Sequence, residues 1–459
     1  MKLRLGAVCL AAVFVRLLLP VAVAVFDYDL SVFQSPDTSS YWVPAETLAA
    51  DGAFASGDEP EIRRTPGYPL FLVVGFQLGS PVWITILLQV ALGVLSVFGV
   101  HELTRRTNIF PEGLRDRAAI LSAVLYAFDP LSIFYTSQIL TETLFTTIFI
   151  WHLYALVRYV ATRQLRFVAI AGALAACAVF VRPVAYYWPF VPSGILLGYA
   201  IFGSRVDSRR VLAATLLLFV ALTPLFGWQV RNAQQTGYTG FSAIREHNLY
   251  SYAGAAVVSR EEGSGFLDTR TRLLNRLDEK VLEHGWGQAE RYEYMGNEGV
   301  QMIWTNVATY VAIHLEGLIR VVADPGGNEF FRFFDYDALS SGLLVQAVDE
   351  GVVSTFATVV RVAPAVVVVS LVLATMLFLQ IVLAGIGLTV VGQRREVATL
   401  LVASVVYMLF VSGGPTAHAR FRHPIMPVVV VFAAFGAVKM RGKIGGCFRN
   451  GVTQATCND

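Results

Sequence analysis

Charge is scarce in this chain. Of its 459 residues, 15% are Asp, Glu, Lys or Arg and 55% are hydrophobic, whereas soluble domains carry about 25% charged residues. The deficit runs along most of the length. That excludes a soluble globular enzyme and marks a polytopic membrane protein. Cysteine is nearly absent too. Cys9, Cys177, Cys447 and Cys457 show no ligand spacing, and the first two lie in apolar runs. Neither a disulfide framework nor a cysteine-bound metal is expected. There is no strand-rich pattern, no internal repeat and no low-complexity tract. A separate β domain is therefore excluded, and the small net charge of +2 leaves no nucleic-acid partner in view.

What the chain has is long apolar runs. A bilayer is spanned by about 20 such residues. The runs predict an all-α polytopic protein with about ten spans: 4–25, 82–103, 118–135, 141–160, 167–182, 185–203, 211–229, 363–390, 397–412 and 424–439. Basic clusters fall on alternate connections: Arg105, Arg106, Arg115 and Arg117; Arg158, Arg163 and Arg166; Arg205, Arg209 and Arg210; Arg394 and Arg395; Lys439, Arg441 and Lys443. Lys2 and Arg4 are in phase with them. The positive-inside bias puts all of these, and both termini, in the cytoplasm. The first run could also be read as a cleaved signal peptide, with Ala22-Val23-Ala24 as its small-residue end; Arg16 suits neither reading well.

Three parts follow: an N-terminal transmembrane module (1–229) with its first external loop (26–81), an external helical segment (230–362), and a C-terminal transmembrane module with a cytoplasmic tail (363–459). Within the external segment, Ser259–Glu298 is polar with helical spacing. Residues 300–322 read as one amphipathic helix at the interface, ended by Asp324-Pro325-Gly326-Gly327.

The external face holds an excess of charge that topology does not explain. Between Phe26 and Leu70 lie eight carboxylates, two adjacent arginines and seven aromatic rings. Ser35-Pro36-Asp37 is a helix-start signal, with Ser as cap and the acid in the first turn; Tyr41, Ala45, Leu48 and Ala49 follow on one face, subject to a kink at Pro44. Asp37 could merely complement the helix dipole, or it could present a carboxylate at the water–lipid boundary. Arg63 and Arg64 could be solvated loop charges, or a phosphate fork. Glu142 opens the fourth span after Thr141, as a helix N-terminal acid or as a functional acid at a span edge. Arg182 and Arg231 end spans on the same side, where snorkelling would also account for them. Residues 418–427 place Arg420 and Arg422 between His418 and His423, a plausible anion patch and a weak zinc site.

These motifs resemble, in order, landmarks of the GT-C membrane glycosyltransferases. The nearest likeness is the branch of protein O-mannosyltransferases and lipid A aminoarabinose transferases. Asp37…Tyr41…Ala45…Leu48…Gly52 and Arg64-Thr-Pro-Gly-Tyr68-Pro-Leu-Phe-Leu72 resemble its first external loop. Tyr135-Thr136 and Thr141-Glu142-Thr-Leu-Phe resemble its second acidic motif. Val181-Arg-Pro183, Trp228-Gln-Val-Arg-Asn232 and Arg420-Phe-Arg-His-Pro-Ile-Met-Pro427 resemble later ones. The resemblance implies sugar transfer from a polyprenyl-phosphate donor to a glycan, lipid or protein acceptor on the outer face of the inner membrane. It makes Asp37 the candidate base and Glu142 the second carboxylate. Tyr41, Arg63, Arg64, Tyr68, Arg182, Arg231, Arg420, Arg422 and His423 become candidates for holding the donor phosphate or substrate.

No cofactor is required by this reading, and a divalent metal is compatible with it. Thr38 stands where some relatives carry a paired acid. Two rival classes remain. One is a transporter or flippase of an anionic lipid-linked substrate, which favours charges near the midplane and inverted repeats. The other is a glycan polymerase or ligase.

Overall fold

The structure, a computed structural model, describes residues 2–109, 112–203, 206–327, 329–330, 360, 364–390 and 395–454. Arg205, Arg394, Cys457 and residues 331–359 lie outside these residues. Eight helices among the described residues are long and apolar enough to cross a membrane, or nine if one sharply bent pair is a single span. The fold is helical, with one small antiparallel hairpin, β1 (Ala55–Ser56) and β2 (Glu59–Pro60), in the first loop.

In chain order, α1 (Lys2–Val25) is followed by α2 (Ser39–Asp51) and α3 (Gly67–Gln77) in the first loop, and then by α4 (Pro81–Arg106). The expected span 118–135 is broken into α5 (Glu112–Ala127) and α6 (Pro130–Tyr135). The apolar run hides the break, but its chemistry is local. Pro130 has no N–H to continue α5, and the Asp129 carboxylate caps α6 by accepting from the Ser132 amide at 2.8 Å.

Next come α7 (Glu142–Thr162), α8 (Leu165–Val181), α9 (Phe190–Ile201) and α10 (Ser208–Thr236). At 17 residues α8 is shorter than the eight helices long and apolar enough to cross a membrane. It packs between α7 and α10 through Ala171, Gly172, Ala175 and Ala178. Lipid tails give helices no hydrophobic reason to associate, so close approach of small faces has to supply dispersion contact.

Arg16 in α1 is fully buried. Its guanidinium donates to the Ala127 carbonyl at 3.0 Å and to the Ser132 hydroxyl at 2.8 Å. Helix ends leave carbonyls without intrahelical donors, and Arg16 serves the end of α5. Gly93 of α4 makes room, since a Cβ there would sit 2.7 Å from the Arg16 Nε. The charge that interrupts the first apolar run thus ties α1 to the end of α5 and the start of α6.

The segment 230–362 is helical in its described part. It holds α11 (Ile244–Asn248), a π-helical turn (Leu249–Gly254), α12 (Ala255–Glu262), α13 (Phe266–His284), α14 (Gln288–Thr305) and α15 (Val307–Ala323). The single amphipathic helix expected over 300–322 is two helices, bent by 98° at Asn306. The chain then continues through α16 (Pro364–Leu388), α17 (Arg395–Ser412), a 3-10 segment (Ala419–Ile425) and α18 (Met426–Gln454).

Candidate active site

Two loops from the same end of the bundle are sewn together. The Ile139 amide donates to the Phe33 carbonyl at 2.8 Å, and the Thr38 hydroxyl donates to the Ile139 carbonyl at 3.0 Å. Gln138 reaches the Val32 carbonyl at 3.0 Å. From α4, Gln89 donates to the carbonyls of Gln138 (2.8 Å) and Thr136 (3.2 Å) and accepts from the Tyr68 hydroxyl at 2.9 Å. Buried backbone groups need partners, and these contacts supply them. They also fix the start of α7, with Glu142, against the turn that carries Asp37.

That turn is not the first turn of a helix. The expected cap at Ser35 is displaced, and α2 begins at Ser39 with Asp37 just outside it. Thr38 does the local work, its hydroxyl accepting from the Ser35 amide at 2.8 Å. Pro44 leaves α2 unbroken, with Tyr41, Pro44 and Ala45 on the buried face.

Arg64 is set by its neighbours in the same loop. The Glu61 carboxylate accepts from the Arg63 and Arg64 amides at 2.6 and 2.8 Å. Three residues after Arg64 the chain must pass the end of α8. A Cβ at Gly67 would lie 2.6 Å from the Phe180 carbonyl, so glycine is required for that approach. It brings Arg64 and the end of α8, where Arg182 stands, to one place.

Five charged side chains meet there. Arg64 donates to Asp37 Oδ1 at 3.1 Å, to the Ser40 hydroxyl at 3.0 Å and to the Tyr41 hydroxyl at 2.9 Å, and its guanidinium lies 4.4 Å from the Tyr41 ring centre. Arg420 donates through Nη1 to Asp37 Oδ2 at 2.7 Å and through Nε to Glu142 Oε1. Arg182 donates to the same Glu142 oxygen at 2.7 Å. One guanidinium therefore bridges the two carboxylates. Glu142 is completely buried, whereas the Asp37 side chain is 41% exposed. Burial pushes the Asp37 carboxyl up, but the Arg420 and Arg64 charges outweigh it and hold it down at about 2. Three guanidiniums against two carboxylates leave one positive charge in excess.

The other predicted residues divide. Tyr68 is buried, edge-on to Tyr41 with ring centres 5.4 Å apart, and its hydroxyl is taken by Gln89. His423 is buried behind Glu142 and shares a hydrogen bond with the Thr146 hydroxyl at 2.9 Å. Arg231 is spent on the hairpin, donating to the carbonyls of Glu61 (2.8 Å) and Phe54 (3.0 Å). Arg422 donates to the Val321 and Asp324 carbonyls at 2.5 and 2.7 Å, tying the 3-10 segment to the end of α15. Both arginines build the walls and neither reaches the two carboxylates. Arg63 is held through its backbone, its amide donating to Glu61 and its carbonyl accepting from the Ser242 hydroxyl at 2.5 Å.

Sequence reasoning passed over Ser40 and Gln89. A polar residue inside an apolar span is a functional candidate by default, and Gln89 could have been found on that ground. Both acids are occupied by guanidiniums, and no group of three His, Cys, Asp or Glu side chains gathers among the described residues. That includes His418 and His423.

Residues 60–228 match the family described as dolichyl-phosphate-mannose-protein mannosyltransferase. No curated protein matches the chain in sequence. Among solved structures, the Archaeoglobus fulgidus oligosaccharyltransferase in its apo form is similar over 98% of this chain and 52% of its own, with 14% identity and a TM-score of 0.55. The oligosaccharyltransferase AglB from Archaeoglobus fulgidus, in complex with an inhibitory peptide and a dolichol-phosphate, is similar over 99% of this chain and 52% of its own, with 13% identity and a TM-score of 0.52. The chain thus spans about half the length of these structures. ArnT from Cupriavidus metallidurans bound to undecaprenyl phosphate aligns at 14% identity over 95% of this chain and 77% of its own, with a TM-score of 0.40, too loose to carry an argument. The matched segment is similar to that family over a little more than a third of this integral membrane protein, and the chain shares its fold with the solved oligosaccharyltransferase structures.

Proposed function

We propose that the protein transfers a sugar from a polyprenyl-phosphate donor to an acceptor hydroxyl at the extracytoplasmic face of the inner membrane, with both termini cytoplasmic. The observation that carries the reading is the Arg420 bridge. It joins two carboxylates and leaves the pocket one positive charge in excess, beside a partly open acid. The charged residues gathered at this site come from connections that the positive-inside bias assigns to the outer face, which supports the orientation. The three-part division of the chain, with the first loop carrying the chemistry, belongs to the same proposal.

The geometry suggests an order of events. A general base works best with a pKa near the working pH, and a carboxyl held at about 2 is a poor one. The donor phosphate offers Arg64 and Arg420 a second anion. As those guanidiniums turn to phosphate, Asp37 loses the charges that hold it down and becomes a better base. It then takes the proton of the acceptor hydroxyl. The acceptor oxygen bonds to the anomeric carbon, and the carbon–oxygen bond to phosphate breaks. The departing polyprenyl phosphate carries the new negative charge, which the guanidiniums stabilise. Glu142 keeps Arg420 and Arg182 in place.

The test is transfer from a synthetic polyprenyl-phosphate sugar in proteoliposomes. Arg64→Ala should raise the donor concentration needed, and Arg64→Lys, which keeps charge but loses the planar fork, should recover only part. Arg105→Ala, at the other end of the bundle, should not change donor use. Transfer from a soluble nucleotide sugar in place of the lipid-linked donor would overturn the proposal.

A further inference from the structure

Arg420 is aimed at both acids by a tie that its own segment does not supply. A helical turn begins with amides that have no partner inside it. The 3-10 segment Ala419–Ile425 opens at His418, whose side chain makes no capping bond; its Nδ1 donates to the Thr416 carbonyl at 2.7 Å. The Ala419 amide is served from another element. The Asp324 carboxylate, 95 residues away at the end of α15, accepts from it through Oδ2 at 3.1 Å. Its other oxygen, Oδ1, accepts from the Gly326 amide at 2.8 Å and shapes the turn that leaves α15.

The tie runs both ways. The carbonyls at the end of α15 have no intrahelical donors, and Arg422 supplies them, at 2.5 Å to Val321 and 2.7 Å to Asp324. Ala419 and Arg422 are thus both pinned to one residue, the first through the Asp324 carboxylate and the second through the Asp324 carbonyl. Arg420 lies between the two pins. With about three residues per turn, fixing those positions on α15 turns Arg420 to the side where Asp37 and Glu142 stand. The same helix grips the loop before the segment. Arg320 donates to the Pro415 carbonyl at 3.2 Å, and Gly317 lies so close to Gly414 that a Cβ would collide with its carbonyl oxygen.

We propose that Asp324 is a positioning residue for Arg420: by capping the 3-10 segment from α15 it sets the pose in which one guanidinium bridges Asp37 and Glu142 and meets the donor phosphate. The role in holding phosphate rests on the transferase reading; the cap and the bridge do not. Without the carboxylate the Ala419 amide loses its acceptor, the turn is free to rotate, and Arg420 loses the geometry that serves two acids at once. A carboxamide has one acceptor oxygen for the two amides that Asp324 serves, so asparagine keeps only part of the tie.

Binding of undecaprenyl phosphate to the full chain in lipid nanodiscs reads the pose of Arg420. Asp324→Ala should weaken it about fivefold or more, as loss of a hydrogen bond to a charged group predicts, and Asp324→Asn should recover part. Glu396→Gln, which loosens the far end of the bundle, should leave the affinity unchanged; an equal loss there would reduce the effect to stability and overturn the proposal. In an Arg420→Met background Asp324→Ala should cost no further affinity, because the guanidinium it aims is gone; if that background does not fold, Arg420→Lys replaces it. A full further loss in that background, or wild-type affinity in Asp324→Ala, overturns the proposal. Wild-type protein that binds no undecaprenyl phosphate sinks the transferase reading instead, and thermal midpoints then decide on Asp324. The separate shifts of Asp324→Ala and Arg420→Met should sum to more than the shift of the double variant, and simple additivity would mean that Asp324 does not hold Arg420.

Discussion

Glu142 and Glu396 make an informative pair. Each is a buried carboxylate with two arginines. Glu142 takes Arg182 and Arg420; Glu396 takes Arg163 at 3.3 Å and Arg210 at 2.9 Å, at the other end of the bundle. Counting ion pairs would rank them equally. The difference lies in what the arginines touch next. Arg210 also bonds Asp207 at 3.1 Å, three residues away on the same turn, and the cluster closes on the starts of α10 and α17 and the end of α7. Arg420 instead passes on to Asp37, which is open to substrate. A clasp ends in structure, whereas a site ends at an accessible group with charge left over.

The sharpest way to break this comparison is to remove the accessible group. Asp37→Asn should keep the fold and lower transfer by about 10²-fold or more, the typical share of a general base. Near-normal turnover in a folded Asp37→Asn protein would reduce the outer cluster to a clasp like the inner one. Next in size is the bridge. Arg420→Met leaves Asp37 with Arg64 and Glu142 with Arg182, and sets two carboxylates facing each other. Breaking a buried pair costs about 3 kcal/mol or more, so the thermal midpoint should fall together with transfer. An unchanged midpoint would mean that Arg420 does not hold the two acids.

Much of this was legible in the sequence, and the limits have physical causes. Long apolar runs fix α1, α4, α7, α10, α16 and α17, because lipid demands them. The break at Asp129-Pro130 and the bend at Asn306 are weakly marked. Apolar composition continues across the first, and amphipathic spacing continues across the second. Asp37, Arg64, Glu142, Arg182 and Arg420 could be gathered onto one face from charge bias alone. The bridge could not, since Arg420 and Asp37 are 383 residues apart. Nor could the split between Arg420 and Arg422. They lie in a 3-10 segment with about three residues per turn, so residues two apart face different ways, while His423, three on from Arg420, returns to the Glu142 side.

The inner cluster supplies the third contrast. Glu396→Gln should lower stability by about 1–3 kcal/mol, between the values for exposed and buried pairs, while transfer per folded molecule stays at the wild-type rate. Detergent-solubilised protein with matched folded fractions, assayed for midpoint and turnover, checks both halves. A loss of turnover larger than the loss of folded protein would show that the two ends are coupled, and the distinction between clasp and site would fail.

The smallest expected effect concerns pH. Asp37 sits at about 2 in the folded protein, below its ordinary 3.8. A carboxyl depressed on folding stabilises the native state above its unfolded pKa, and that contribution disappears as pH falls through the folded value. The window is therefore about pH 4 down to 2. Within it the thermal midpoint of wild type should fall more steeply than that of Asp37→Asn, which has nothing to titrate at this position. Because 41% of the side chain is exposed, solvent screens the pair and the difference in slope should be modest, shrinking further with added salt. Glu396→Gln should leave this slope difference untouched, since its cluster lies at the far end of the bundle. Parallel curves for wild type and Asp37→Asn across pH 4 to 2 would mean that Arg64 and Arg420 do not hold the Asp37 charge in solution, and the release of Asp37 by donor phosphate would lose its starting state.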